Sequence, residues 1–195
     1  ELNNLFFEVI IGNNFENDAL KILKKKKNLR LIDASNFSLS KVLNFNSANE
    51  NILVQSEDRK IFTKKDFKIV SKIKPSKTQF DDLIFAFNIC RYVKSNAIVL
   101  ASKKTTIGIG SGQPSRLDSC QIAIDKMRKF TKPYADIVAA SDAFFPFIDG
   151  IEKLVQSGVK GVIQPSGSIR DKEVIKFANE TGTTLVFSKT RHFRH

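Results

Sequence analysis

The sequence predicts an α/β fold: a largely parallel mixed sheet with helices on its faces, and an added hairpin excursion. Three observations carry that prediction. From Ile137 onward, short apolar runs alternate regularly with amphipathic segments, the pattern of strands joined by crossover helices. A βαβ unit is legible at the N-terminal end. The composition, 42% hydrophobic with 17 Phe and no Trp in 195 residues, supplies one well-cored domain and argues against disorder.

Leu5-Phe6-Phe7-Glu8-Val9-Ile10-Ile11 reads as a buried strand, Phe15, Ala19, Leu20, Ile22 and Leu23 as a short helix, and Leu29 to Ile32 as a second strand. Residues 33–75 form an excursion, polar and rich in Asn and Ser. It contains a predicted hairpin, Ile52 to Gln55 turning at Ser56-Glu57-Asp58 onto Lys60 to Thr63. Residues 76–195 form the main lobe. Ser76 starts a helix with a capping box to Gln79, and Phe80, Leu83, Ile84, Phe87 and Cys90 make its inward stripe. Ala97 to Leu100 and Thr106 to Ile109 read as two strands joined at Lys103-Lys104, and Ser115 caps the next helix. The rest is strand Ile137 to Ala140, helix Asp149 to Gln156, strand Val159 to Ile163, a helix capped by Ser168 with Asp171, and strand Thr184 to Phe187.

In such sheets ligands sit beyond the carboxyl ends of the strands. The segments there are Ser141 to Phe147, Gln164 to Ser168, and the tail from Lys189, which holds both histidines of the chain, His192 and His195. A frayed basic tail is the bland explanation; a tail folded back into a site is the sharper one. Gly108-Ile109-Gly110-Ser111-Gly112 joins a strand to a helix start, an arrangement that can cradle an anion. It matches neither GxGxxG nor a P-loop. Arg116 in the first helical turn suits an anionic or carbonyl ligand better than it suits the macrodipole. The loop Phe144-Phe145-Pro146-Phe147 with Asp142 and Asp149 offers an apolar slot with a polar anchor for a ring system, against the simpler reading of core packing.

The remaining composition narrows the classes. Cys90 and Cys120 are too few and too far apart for a disulfide framework, and no HxE or CxxC suggests zinc. No run approaches the roughly 20 apolar residues of a membrane span, and no signal peptide is legible. A reduced, cytoplasmic protein is expected. The net charge of +12 points to anionic partners. A nucleic-acid-binding module is the alternative, motivated by Lys24 to Lys27. It would need a basic stripe with exposed stacking aromatics, whereas most Phe residues fall on apolar faces.

Five segments in order, Lys94-Ser95-Asn96-Ala97-Ile98-Val99, Gly108 to Arg116, Ala140 to Phe147, Gln164 to Ser168 and Arg191 to His195, resemble the signatures of the aminoimidazole carboxamide ribonucleotide (AICAR) transformylase domain. That domain belongs to the bifunctional purine biosynthesis enzymes whose other activity is inosine monophosphate cyclohydrolase. The resemblance covers essentially all of residues 1–195. It implies a three-layer α/β/α, cytidine deaminase-like fold without zinc, a homodimer with shared active sites, and formyl transfer from 10-formyltetrahydrofolate to the 5-amino group of AICAR. It places Asn96 near the reacting amine and formyl group, Arg116 on the carboxamide, and Phe144 against the nucleotide. Pro146, Asp149 and Ser168 fall on the folate side, Arg191 on the 5′-phosphate, and Phe193 and His195 complete the site. The resemblance implies no membrane and no nucleic-acid partner. The family's Lys-His pair, which supplies the principal proton-transfer chemistry, has no counterpart, because no Lys-His dipeptide occurs. With Glu1 rather than Met at the start, the expectation is the C-terminal part of such a domain, lacking its first half and the cyclohydrolase domain, and inactive alone.

Overall fold

A computed structural model describes residues 5–38, 43–129 and 134–194. The chain divides into two units, before and after the Glu57/Asp58 boundary, so residues 33–57 of the polar excursion belong to the first and 58–75 to the second.

The first unit contains the predicted βαβ: β1 (Val9–Gly12) pairs in parallel with β2 (Arg30–Asp33) around α1 (Asn17–Leu23). Its first strand is shorter than expected and is not buried, with Val9 43% and Ile11 64% exposed. The hairpin also differs from the sequence reading. Asn51–Ser56, β4, pairs backwards with β3, Leu43–Ala48, rather than forwards with Lys60 to Thr63. The two-residue connection Asn49-Glu50 explains the choice. Asn49 sits at φ 53, a conformation Asn tolerates and tight hairpins require.

Lys60 to Thr63 serves the second unit instead. Phe62 is buried, and its backbone N–H and C=O are both taken by the Asn88 carboxamide, at 2.8 and 3.0 Å. The second unit is built on a six-stranded sheet ordered β5-β10-β9-β8-β6-β7, comprising Phe67–Ile69, Thr184–Ser188, Gly161–Pro165, Val138–Ser141, Ile98–Ser102 and Thr105–Gly110. The expectation of a largely parallel sheet needs correction. Neighbours run parallel only within β8, β9 and β10; β5, β6 and β7 each join an antiparallel pairing. Connections account for part of this: the tight β6–β7 hairpin forces that pair antiparallel, and the helix Arg116–Arg128 then returns the chain to β8 parallel to β7 and so antiparallel to β6. β5 is a three-residue edge strand, too short for an apolar period to register.

Period-two alternation assigns the faces. Leu83, Ala86, Phe87 and Cys90 of α2 (Lys77–Cys90) pack with Val99, Ala140, Ile163 and Val186 on one face. On the other, Leu100, Ala139, Val162 and Leu185 meet α3 (Arg116–Arg128), α4 (Asp149–Gln156) and α5 (Asp171–Glu180). Both cysteines are buried in these layers, and burial pushes the Cys120 thiol up to about 12. Ser76 caps α2 by accepting the Gln79 N–H at 3.1 Å. The Gln79 side chain faces Thr184 instead of closing the box. Lys103 and Lys104 turn the β6–β7 hairpin at positive φ, and the buried Asp82 carboxylate accepts both their N–H groups at 2.7 Å.

The glycine run has a packing explanation. Gly108 and Gly110 lie inside β7, where α3 runs directly over the strand. A Cβ at Gly108 would fall 2.1 Å from the Ala123 carbonyl oxygen, and one at Gly110 1.9 Å from that of Ser119. The bare strand lets the helix backbone descend onto it. Gly110→Ala is therefore expected to destabilise the chain by about 1–3 kcal/mol through overpacking, although removing a strand glycine alone would gain about 0.5–1 kcal/mol. A urea midpoint equal to or above wild type would refute this packing account.

Candidate functional site

The closeness of α3 to β7 delivers Arg116 to the sheet end. As the first residue of α3, behind the Ser115 cap, Arg116 points back across the strand termini. Its guanidinium Nη1 donates to Ser141 Oγ at 2.8 Å and to the Asp142 carboxylate, and Nη2 donates to Asn96 Oδ1 at 2.8 Å. The Asp142 side chain is completely buried and that of Arg116 is 9% exposed. Asn96 is held from the other side, where its Nδ2 donates to the Gln113 and Pro114 carbonyls at 2.9 and 3.0 Å. Two residues singled out from sequence, Asn96 and Arg116, are thus in direct contact. Of the groups that join them, Ser141 and Asp142 were visible in sequence as polar residues of a ligand-facing loop, and Ser95 only as the neighbour of Asn96.

The tail folds back onto this cluster. Arg194 exchanges backbone and side-chain hydrogen bonds with Ser95: its carbonyl accepts the Ser95 N–H at 2.9 Å, and its N–H donates to Ser95 Oγ at 3.3 Å. The Arg194 guanidinium donates to the Tyr92 carbonyl at 2.7 Å. The His192 N–H donates to the Asp142 carbonyl at 2.9 Å. Arg191 is exposed and stacks over the Phe193 ring at 4.8 Å. His195 lies outside the described residues.

His192 is not a free tail imidazole. It is buried, with ring centroids 4.4 Å from Phe87 and 4.9 Å from Phe62, and its Nδ1 meets the Asp58 carboxylate. Among the described residues Nε2 has no hydrogen-bond partner. Protonating it would place a second N–H in an apolar pocket, so burial holds the imidazole below its ordinary 6.5 despite the opposing pull of Asp58.

Phe144 is half-buried, while Pro146 and Asp149 are exposed on the loop after β8, and Asp149 Oδ1 accepts the Gly150 N–H at 2.7 Å. Arg170 stacks over Phe147 at 4.8 Å, joining this loop to the one after β9. Ser168 is not the cap of α5. Arg170 precedes the helix, and Ser168 Oγ accepts its N–H at 3.1 Å. The Asp171 carboxylate takes the Gly167 and Ser168 N–H groups at 2.8 and 3.3 Å, so these amides are occupied by the protein's own carboxylate. Among the described residues Phe144, Pro146, Asp149 and Ser168 share no hydrogen bond with Asn96 or Arg116. Nor does any described group of three or more His, Cys, Asp or Glu residues form a metal-binding cluster, and no described helix is long and apolar enough to cross a membrane.

The signatures of the AICARFT/IMPCHase bienzyme match residues 1–126. Bifunctional purine biosynthesis protein PurH of Leptospira biflexa serovar Patoc (strain Patoc 1 / Ames) is 43% identical across 100% of this chain, which covers 38% of that protein. The proteins of the same name from Persephonella marina (strain DSM 14350 / EX-H1) and Oenococcus oeni (strain ATCC BAA-331 / PSU-1) are 42% and 43% identical with the same coverage. The chain therefore spans 38% of the length of these relatives. Among solved structures, the apo dCMP deaminase of cyanophage S-TIM5 aligns with a TM-score of 0.39 and 18% identity, over 58% of this chain and 98% of its own.

The sign of the His192 effect follows from its lowered pKa. An unfolded imidazole takes up its proton near 6.5, before the folded one does, so stability is full above that pH and declines below it. The slope is at most about 1.4 kcal/mol per pH unit. Wild type should lose more of its urea midpoint between pH 7.5 and 5.5 than His192→Asn; parallel profiles would remove the imidazole as the cause.

Proposed function

The chain belongs to the AICARFT/IMPCHase bienzyme family, and from that premise we propose that it is the C-terminal part of the AICAR transformylase domain, with a cytidine deaminase-like fold. The reaction is formyl transfer from 10-formyltetrahydrofolate to the 5-amino group of AICAR, in the synthesis of the purine nucleotide IMP. The observation that carries this reading is the bonded pair Asn96 and Arg116 at the sheet end, with the tail bearing Arg191 and Phe193 docked beside it through Ser95. A carboxamide-recognising pair and a cationic, aromatic tail meet where α/β sheets bind ligands.

The chemistry assigns the roles. An aromatic amine conjugated to a carboxamide is a weak nucleophile and must be held and relieved of a proton as its nitrogen attacks the formyl carbon. The new C–N bond forms as the bond to folate N10 breaks, and the proton lost by the amine is balanced by one gained at N10. Asn96 and Arg116 hold the amine and carboxamide of AICAR. Arg191 meets the 5′-phosphate through charge-assisted hydrogen bonds, and Phe144 and Phe193 line the nucleotide. The exposed Pro146 and Asp149, with Ser168 on the adjoining loop, border the folate. His192, enclosed by Phe62 and Phe87 and bonded to Asp58, is withdrawn from proton transfer. His195 is kept as a site residue by resemblance. The proton carrier is the Lys-His pair of the family, absent from this sequence, so the chain alone is not expected to turn over. A homodimer in the cytoplasm is part of the same reading.

Calorimetric titration with AICAR tests it. Wild type is expected to bind, Arg191→Ala to weaken binding about 10- to 100-fold, as the loss of a charged hydrogen bond implies, and Asn96→Ala to weaken it similarly. No heat from a folded wild-type chain would remove the claim that these residues build a nucleotide pocket.

A further inference from the structure

Asp142 bonds to three segments that meet beyond the strand ends: the start of α3, the residues leading into β6, and the tail. Its carboxylate accepts from Arg116 Nη1 and, at 2.6 Å, from Ser95 Oγ; its carbonyl accepts the His192 N–H at 2.9 Å. Its own N–H donates to the Ala97 carbonyl at 3.2 Å. All four bonds are made by a residue with no exposed surface, so Asp142 cannot touch a ligand. Its influence runs through Arg116. Held by the carboxylate and Ser141, the guanidinium can present Nη2 to Asn96 in one plane only, because the fork is rigid.

Hydrogen-bond accounting shows what that plane decides. A carboxamide offers two N–H donors and two acceptor lone pairs. Asn96 spends both N–H groups on the Gln113 and Pro114 carbonyls and one lone pair on Arg116. Turning the amide over would set its oxygen against two carbonyl oxygens and its NH2 against a cation, so this orientation is enforced. Counted among the described residues, Asn96 then has one acceptor position left and no donor. Arg116, with both Nη1 hydrogens and one on Nη2 engaged, keeps one Nη2–H and its Nε–H. An acceptor beside two donors complements a ligand that carries an N–H next to a carbonyl.

We infer that Asp142 is a positioning residue that fixes the plane of Arg116, and through it the acceptor sense of Asn96, so that Asn96 receives the ligand's amine N–H and does not donate to the developing oxyanion. The identity of that ligand rests on the function proposed above; the positioning itself does not.

NMR of the 15N-labelled 195-residue chain tests it without ligand. In wild type both Asn96 side-chain hydrogens should exchange with water at least ten times more slowly than those of the exposed Asn36, and Arg116 should show separate Nη signals where the exposed Arg191 shows averaged ones. Asp142→Ala should abolish both signatures. Asp142→Asn, which keeps an acceptor for Arg116 and a partner for Ser95, should retain them. The inference fails if Asn96 exchanges like Asn36 in wild type, or keeps its protection in a folded Asp142→Ala. Should Asp142→Ala not fold, the wild-type signatures and their retention in Asp142→Asn decide. With AICAR, Asp142→Ala should bind at least tenfold more weakly and Asp142→Asn within about threefold of wild type. A wild type that shows both signatures but binds no AICAR supports the positioning role and counts against the proposed function.

Discussion

The ion pair between Arg116 and Asp142 is the constraint on which the candidate site depends. A carboxylate with no exposure next to a guanidinium that is nearly enclosed is tolerable only while both are fully engaged, and removing one partner of such a pair costs about 3–5 kcal/mol. The surrounding structure satisfies the demand from several directions at once. Ser95 and Ser141 take up hydrogen bonds, Asn96 closes the fork, and the backbone of Asp142 is tied to Ala97 and His192. Those groups come from four segments, so one electrostatic requirement brings the start of β6, the end of β8, the start of α3 and the tail to one place.

Packing makes that convergence geometrically feasible. Arg116 reaches the strand ends because α3 lies against β7 without intervening side chains, and Gly108 and Gly110 permit that distance. The glycines thus act one step before the site, by placing the helix that carries the arginine. An anion cradle and a close helix–strand contact ask for the same residue type for different reasons. The carbonyls of Ala123 and Ser119 facing the missing Cβ positions show that the second reason applies within β7.

The tail shows a similar division of labour. His192 anchors it: one face enters the aromatic cluster of Phe62 and Phe87, Nδ1 meets Asp58, and the backbone N–H meets Asp142. With that residue sunk into the core, its neighbours Arg191 and Phe193 are carried at the strand ends as a stacked pair. Two histidines near a chain end invited the reading of a tail folded back into a site. The described one is a structural anchor whose neutral form the apolar surroundings favour.

The amino-acid sequence alone determined the order of strands and helices from α2 onward, the caps Ser76 and Ser115, the inward stripe of α2, and the residue types at the strand ends. Each is written in a local period or a side chain's reach along its own backbone. Tertiary structure decided the rest. The pairing of β4 with β3, and of β5 with β10, depends on which strands compete for an edge. The filling of the Gly167 and Ser168 amides by Asp171 depends on the path of a loop, and the withdrawal of His192 on aromatics that are distant in sequence. The bond between Asn96 and Arg116, and the role of Asp142 beneath it, join residues 20 to 47 positions apart. Such bonds leave no period in sequence, because they form only after the sheet and helices have brought their ends together, and only the requirement that every buried charge be answered then selects the partners.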